Sequence, residues 1–265
     1  MNTTDVLARL TEAPMEVVGR FMDASNVTLL GRFLDRDPRP IDVIAPSAGG
    51  RLGIGDLPTG DLAVVKPRRG EAPLWDFPTG TLHRREVAAW TVSHALGWGL
   101  VPETVVRQDA QLGACSVQRY VAHDPDGDYF RLLESGEPDV VDELRAMAVF
   151  DAVIDNADRK AGHVLRVTGD EAPPRIRLVD HGVTFHVEPK LRTVAWDFAG
   201  DEIPAGLLAD LDALAERLTG DLGAVLTTLL TGDEVAALAS RTAGLVESGR
   251  FPEPTGPRPY PWPLW

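Results

Sequence analysis

The sequence predicts an α+β protein of two lobes, with strands in the first half and helices in the second. Short runs of alternating apolar and polar residues fill the first third, which is typical of strands. Longer segments of the second half place apolar residues at helical spacing. No repeat of about 20–50 residues is present, so solenoids and propellers are excluded. Segregated strands and helices favour an α+β chain.

The first half is predicted to contain five strands and one helix. The strands are residues 16–21, 27–34, 62–66, 104–107 and 116–121. The turn Asp23-Ala24-Ser25-Asn26 joins the first two, and residues 35–61, rich in Pro, Gly and Asp, are predicted to form a loop. Residues 67–81 form a second predicted loop. The helix covers residues 82–96 and stops at Gly97.

The second half is predicted to be mainly helical. A turn at residues 123–128 marks the lobe boundary, so we expect lobes at 1–122 and 123–250. The predicted helices are residues 140–154, 204–218, 222–230 and 233–249, and the predicted strands are 163–167 and 176–180. The Pro/Trp-rich tail, residues 251–265, contains six prolines and two of the six tryptophans. Because this tail is rich in apolar residues, we expect it to pack against the rest of the protein.

Charge and composition restrict the class of protein. Lys plus Arg number 26 and Asp plus Glu number 40, so the formal net charge is −14. Such a surface repels polyanions, which argues against nucleic acid and against stable membrane association. The single cysteine, Cys115, excludes an intrachain disulfide. Neither a secretory signal nor a membrane-spanning run is visible, and we expect a cytoplasmic protein.

Two polar segments are the candidates for chemistry. Residues 155–165 follow a predicted buried helix, and residues 178–185 end a predicted strand. A hairpin around residues 170–175 would bring Asp158 and Asp180 together, and two such carboxylates suit a hard divalent cation or proton transfer. Both could instead be turn or helix caps. The nearby histidines also leave open a metal-dependent hydrolase, although they lack zinc-ligand spacing.

These motifs resemble the phosphatidylinositol 3- and 4-kinase-like branch of the protein-kinase-like superfamily, and within it an actinobacterial group. Asp158-Arg159 matches the catalytic loop of that branch, and Asp180-His181-Gly182 matches its metal-binding Asp-x-Gly. Val64-Val65-Lys66-Pro67 matches its strand lysine, and Glu86 begins the following helix. The resemblance spans residues 19–185. It implies a two-lobed protein-kinase-like fold that binds ATP with Mg²⁺ or Mn²⁺.

The resemblance also implies a role for each matching residue. Lys66 would contact the α- and β-phosphates and Glu86 would hold that lysine. Asp158 would orient or deprotonate the acceptor hydroxyl, Lys160 would touch the transferring phosphate, and Asp180 would bind the metal. The remaining nucleotide contacts fall on the turn over the phosphates and on the hinge that bonds adenine. These residues are Ser25 and Asn26 of the turn, and Gln118, Tyr120 and Val121 of the hinge.

Two departures from the family pattern affect these expectations. The second metal ligand is usually Asn, whereas here His163 occupies that position. Histidine is a poorer ligand for Mg²⁺, so the change could favour Mn²⁺, leave one metal bound, or weaken or abolish activity. The phosphate turn is Asp-Ala-Ser-Asn rather than glycine-rich.

The leading interpretation is a phosphotransferase that moves the γ-phosphate of ATP to a hydroxyl. The acceptor is unidentified, and a small polar metabolite or a protein side chain fits equally well. The first alternative is a nucleotide-binding regulatory protein with weak or no turnover, and the second is the metal-dependent hydrolase.

Overall fold

The computed structural model describes residues 2–22, 26–35, 62–168 and 175–265. The chain divides into two units. The first comprises Met1–His83 and Glu103–Val121, and the second comprises Arg84–Pro102 and Ala122–Trp265. Every candidate site residue in the segments around Asp158 and Asp180 belongs to the second unit.

The first unit is an antiparallel sheet with one helix. The strands are β1 (Met15–Phe21), β2 (Thr28–Phe33), β3 (Leu62–Pro67), β4 (Thr104–Asp109) and β5 (Gly113–Arg119), in the order β1-β2-β3-β5-β4. The predicted strands are therefore confirmed, with ends shifted by a few residues. Val65 and Val117 face Val6 and Leu10 of helix α1 (Thr3–Glu12) in a small apolar core.

Helix α1 was not predicted. Its buried residues, Val6 and Leu10, are four positions apart, which is a helical spacing that the prediction of a strand-rich first third overlooked. The helix begins with a known capping signal, because the Asn2 side chain accepts a hydrogen bond from the Asp5 N–H at 2.8 Å.

The predicted Ser25 contact and the loop at residues 36–61 lie outside the described residues.

The second unit contains the larger core and most of the helices. They are α2 (Leu82–Leu96, which enters this unit at Arg84), α3 (Tyr129–Ser135), α4 (Pro138–Ile154), α5 (Ala205–Leu218), α6 (Asp221–Leu226) and α7 (Gly232–Ser248). Helix α4 is central, since every residue from Ala146 to Ile154 is buried. A helix that is buried on all sides lies at the middle of a core rather than on its surface.

A small three-stranded sheet completes this unit and positions the candidate site. Its strands are β6 (His123–Asp124), β7 (Val164–Val167) and β8 (Ile176–Leu178). The predicted hairpin pairing is confirmed, with Val164 opposite Leu178.

Four further differences from the predicted elements are each confined to one short segment. Residues 123–124 pair with β7 as a strand, although a turn was predicted there. Helix α3 was missed because it is short and has only two buried residues. The helix predicted over 222–230 stops at Leu226, and the strand predicted to 180 stops at Leu178.

None of the helices in the described ranges has the length and hydropathy needed to cross a bilayer.

The packing of α4 yields a prediction about stability. Val149→Ala removes two methyl groups from a side chain with 0% exposure, and it should lower the free energy of unfolding by about 2 kcal/mol. Val225→Ala is the matched control, because Val225 is 50% exposed, and its effect should stay within about 0.5 kcal/mol. Urea unfolding followed by circular dichroism measures both. Equal effects for the two variants would contradict the central position of α4.

Candidate active site

The candidate catalytic loop, residues 155–162, begins where helix α4 ends. Asp155 adopts a left-handed conformation (φ 52°), which turns the chain out of the helix. The Asn156 N–H then donates to the Asp151 carbonyl at 2.9 Å. The Asn156 side-chain oxygen accepts from the Asp158 N–H at 3.0 Å, an Asx turn that sets the backbone at Asp158.

A buried ion pair holds this loop to helix α4. Arg159 and Asp151 both have 0% side-chain exposure. The Arg159 Nε lies 3.1 and 3.0 Å from the two Asp151 carboxylate oxygens, and Nη2 lies 3.0 Å from Oδ1. The same carboxylate accepts from the Asn156 amide and the Thr193 hydroxyl. A buried charge is tolerated only when it is paired and hydrogen-bonded in this way.

Arg159 also connects the loop to the segment that contains Asp180. Its Nη1 donates to the Val179 carbonyl at 2.8 Å, and its Nη2 lies 2.8 Å from His181 Nε2. Because a guanidinium only donates, Nε2 accepts and the ring proton resides on Nδ1. His181 is therefore neutral in this arrangement. One guanidinium thus bonds helix α4 and both neighbours of Asp180.

Asp180 itself follows strand β8 in a left-handed conformation (φ 61°). Its side chain is 47% exposed, and its Oδ2 lies 3.5 Å from His163 Nε2. The next backbone N–H, that of His181, donates to the buried Glu86 carboxylate at 3.0 Å. On the other side of His163, Nδ1 lies 3.4 Å from the Lys160 N–H.

Asp158 lies beside Lys160, whose Nζ is 3.4 Å from the Asp158 Oδ2. Burial raises the pKa of the Asp158 carboxyl to about 6, and the negative charge of Asp180 acts in the same direction. The Lys160 ammonium opposes this rise. A carboxyl poised near neutral pH is suited to accept a proton from a hydroxyl.

The donor set fits a hard divalent cation. Mg²⁺ is commonly bound through one or two carboxylates, with water and substrate phosphates completing its shell. Asp180 is an exposed carboxylate, and Asp158 is close enough for the two charges to interact. Within the described ranges, no group of three or more His, Cys, Asp or Glu side chains is placed to hold a metal ion.

The predicted residues of the first unit lie on the sheet or in the chain next to its strands. Lys66 lies on β3 opposite Ser116 of β5 and is half-buried. The Asn26 side-chain oxygen accepts from the Ala72 N–H at 2.7 Å. The Gln118 amide donates to the Thr104 hydroxyl at 2.9 Å. Lys66 and Glu86 belong to different units, and their pairing stays a prediction.

The last two hinge residues are buried at the end of the first unit. The Tyr120 N–H donates to the Leu62 carbonyl at 3.2 Å, and burial raises the pKa of its phenol. Val121 is buried beside it in the chain. Their role toward adenine stays a prediction.

Asp151, the partner of Arg159, was missed in the sequence. A signal was present, because Asp151 interrupts the apolar run Ala148-Val-Phe-Asp-Ala-Val-Ile154 of a helix predicted to be buried. A charged residue at such a position requires a partner of opposite charge. Several arginines could have filled that role, and only the folded chain identifies Arg159.

The ion pair yields a second prediction. Asp151→Asn leaves the Arg159 guanidinium buried without its counter-charge, and it should lower the free energy of unfolding by about 3–5 kcal/mol. Asp142→Asn is the control on the same helix. Asp142 is 71% exposed and pairs with Arg145 on the surface, so its loss should cost less than about 1 kcal/mol. Urea unfolding compares the two, and a cost for Asp151→Asn as small as that of the control would contradict the structural role of the pair.

Solved structures with a similar fold include two kinases and hydra Fam20. The Golgi casein kinase structure aligns with a TM-score of 0.50 and 15% identity, covering 92% of this chain and 75% of that one. The Helicobacter pylori proinflammatory kinase CtkA gives 0.52 and 12%, covering 91% and 94%. Hydra Fam20 gives 0.50 and 14%, covering 93% and 87%. The chain therefore has the predicted α+β protein-kinase-like fold, with a sheet lobe and a helical lobe.

Sequence comparison identifies a much nearer relative. No model of a described protein family matches the chain. Protein Rv2133c of Mycobacterium tuberculosis (strain ATCC 25618 / H37Rv) is 36% identical over 291 residues, covering 98% of this chain and 96% of that protein. Identity at this level over nearly the whole of both chains means that the chain belongs to the same family as Protein Rv2133c.

Proposed function

We propose that the chain is an ATP-dependent phosphotransferase that uses Mg²⁺ or Mn²⁺ and transfers the γ-phosphate to a hydroxyl. The observation that supports this most directly is the double attachment of Arg159. It bonds the loop of Asp158 to the carbonyl before Asp180 and to the ring after it. Phosphoryl transfer depends on fixed positions and on neutralised charge, and this attachment provides the first.

We assign a separate role in phosphoryl transfer to each of four residues in the second unit. Asp180 would hold the divalent cation, which neutralises phosphate charge when it is bound. Asp158 would orient the acceptor hydroxyl and take its proton. Lys160, which is 15% exposed beside Asp158, would place a positive charge near the transferring phosphate. Glu86 would support Asp180 through the His181 N–H.

The nucleotide contacts in the first unit rest on the family resemblance. We keep them as part of the proposal because their positions in the sequence match the kinase-like pattern. The residues are Ser25, Asn26, Lys66, Gln118, Tyr120 and Val121.

The role of His163 depends on which ring nitrogen has the proton. If the Lys160 N–H donates to Nδ1, the proton is on Nε2, and His163 donates to Asp180. If the proton is on Nδ1, Nε2 is available to a metal. The 3.4 Å contact with Lys160 favours the first state. We therefore propose that in this state His163 orients Asp180 instead of binding a second cation.

The substrate and branch stay open within this proposal. Assignment to the phosphatidylinositol 3-/4-kinase-like type rests only on the sequence motifs around Lys66, Asp158 and Asp180, while the similar solved structures include two kinases of other names. A net charge of −14 argues against a nucleic acid or a membrane surface as partner. A small metabolite or a protein hydroxyl fits a cytoplasmic enzyme of this kind.

The main alternative is a nucleotide-binding regulatory protein without turnover. His163 at the usual Asn position is the observation that favours it. A nucleotide titration followed by an ATP-consumption assay, each with Mg²⁺ and with Mn²⁺, separates the two. Binding without consumption under either metal would favour the alternative. Tightly held zinc in the purified protein would instead favour the metal-dependent hydrolase.

Asp158→Asn should abolish phosphoryl transfer and leave ATP binding unchanged. Removing the proton acceptor should lower kcat by about 10²–10⁴-fold, while the ATP affinity stays within about twofold of wild type. ATP consumption gives kcat, and calorimetric titration with ATP gives the affinity. Wild-type turnover by this variant would exclude the role given to Asp158.

Asp180→Asn should weaken nucleotide binding only when metal is present. With Mg²⁺ the affinity for ATP should fall about tenfold or more, because the carboxylate ligand is lost. With EDTA the variant and wild type should bind ATP equally. Titrations under both conditions make the comparison, and Asp142→Asn serves as the exposed control. A loss that persists in EDTA would point to misfolding rather than to a metal ligand.

A further inference from the structure

The Pro/Trp-rich tail, residues 251–265, forms a backbone hydrogen bond with the catalytic loop. The Ala161 N–H donates to the Leu264 carbonyl at 2.8 Å. Ala161 has 0% exposure and lies between Lys160 and His163. A buried N–H needs an acceptor, and losing that acceptor costs more than a single hydrogen bond contributes. The tail therefore satisfies a donor inside the loop.

A second tail carbonyl binds the segment that contains Thr193 and Trp196. Pro259 O accepts from the Thr193 N–H at 3.2 Å and from the Trp196 indole at 3.0 Å. The Thr193 hydroxyl in turn donates to Asp151 at 3.3 Å. Thr193 therefore links the tail to the Asp151 carboxylate, which pairs with Arg159.

The end of the tail is anchored by Trp265. Its indole N–H donates to Asp128 at 3.2 Å, and its ring lies 5.1 Å from that of Phe130. Asp128 already caps helix α3 through the Phe130 and Arg131 N–H groups. Trp262, three positions earlier, is 89% exposed and provides an internal comparison.

We propose that the tail positions the catalytic loop, with Leu264 and Trp265 as positioning residues for phosphoryl transfer. Trp265 holds the last residues of the tail against helix α3. Leu264 then presents its carbonyl to Ala161, which fixes the backbone between Asp158 and His163. The kinetic part of this inference rests on the proposed phosphotransferase function, whereas the backbone part does not. A tail that merely covered the apolar core would affect stability and leave the loop unchanged.

Three variants of the full chain test the inference. The first ends at Pro263 and lacks both positioning residues. Trp265→Phe keeps the ring contact and removes the N–H donated to Asp128. Trp262→Ala is the control, because it removes a tryptophan from the same tail at an exposed position. Circular dichroism and thermal unfolding establish that each variant is folded.

Hydrogen exchange of residues 155–163 is the first readout. Exchange should accelerate about tenfold or more in the shortened chain, less in Trp265→Phe and not at all in Trp262→Ala. Unchanged loop exchange in a folded shortened chain would overturn the inference, even if its melting temperature fell. If the shortened chain does not fold, Trp265→Phe decides by the same criterion.

Steady-state kinetics are the second readout. We expect kcat to fall about tenfold in the shortened chain while the KM for ATP changes less than about twofold. A change in KM alone would contradict a role in positioning the loop. If wild type consumes no ATP, the phosphotransferase proposal fails, and loop exchange still decides whether the tail positions the loop.

Discussion

The ion pair between Arg159 and Asp151 is the interaction on which the candidate site depends. Two full charges inside the protein lose the solvation that water provides, and their attraction offsets this only with good geometry and further hydrogen bonds. Here the guanidinium also bonds Val179 and His181, and the carboxylate also bonds Asn156 and Thr193. Four segments of the second unit therefore meet at one pair of side chains. The main contribution of such a pair is the single geometry it permits, rather than net stability.

The two aspartates of the site differ because their surroundings differ. Asp158 lies in a loop whose burial raises its pKa toward neutrality, next to a lysine that limits the rise. Asp180 is half exposed and is contacted by a histidine. The same residue type thus gives one group suited to exchange a proton and one suited to bind a cation. This division agrees with phosphotransferase chemistry and with the kinase-like fold.

Local patterns in the sequence predicted most of the elements, and the relations between distant residues needed the structure. Strands β1–β5 and helices α2, α4, α5 and α7 lie in segments with long apolar runs or regularly spaced apolar residues, and they were found. Helices α1 and α3 were missed, and each buries only two residues. The motifs indicated Asp158 and Asp180, and the hairpin that relates them was predicted correctly. The attachments of Arg159, Glu86 and the tail join residues far apart in the chain, and no spacing rule predicts them.

The left-handed backbone at Asp180 has a practical consequence for mutagenesis. Aspartate and asparagine are the non-glycine residues that most readily accept this conformation, whereas alanine and β-branched residues are strained in it. An alanine at this position would remove the carboxylate and also disturb the segment that Arg159 and Glu86 hold. Asparagine keeps the backbone and removes only the charge. It is therefore the better choice for testing the role of this carboxylate, because the backbone around it stays unchanged.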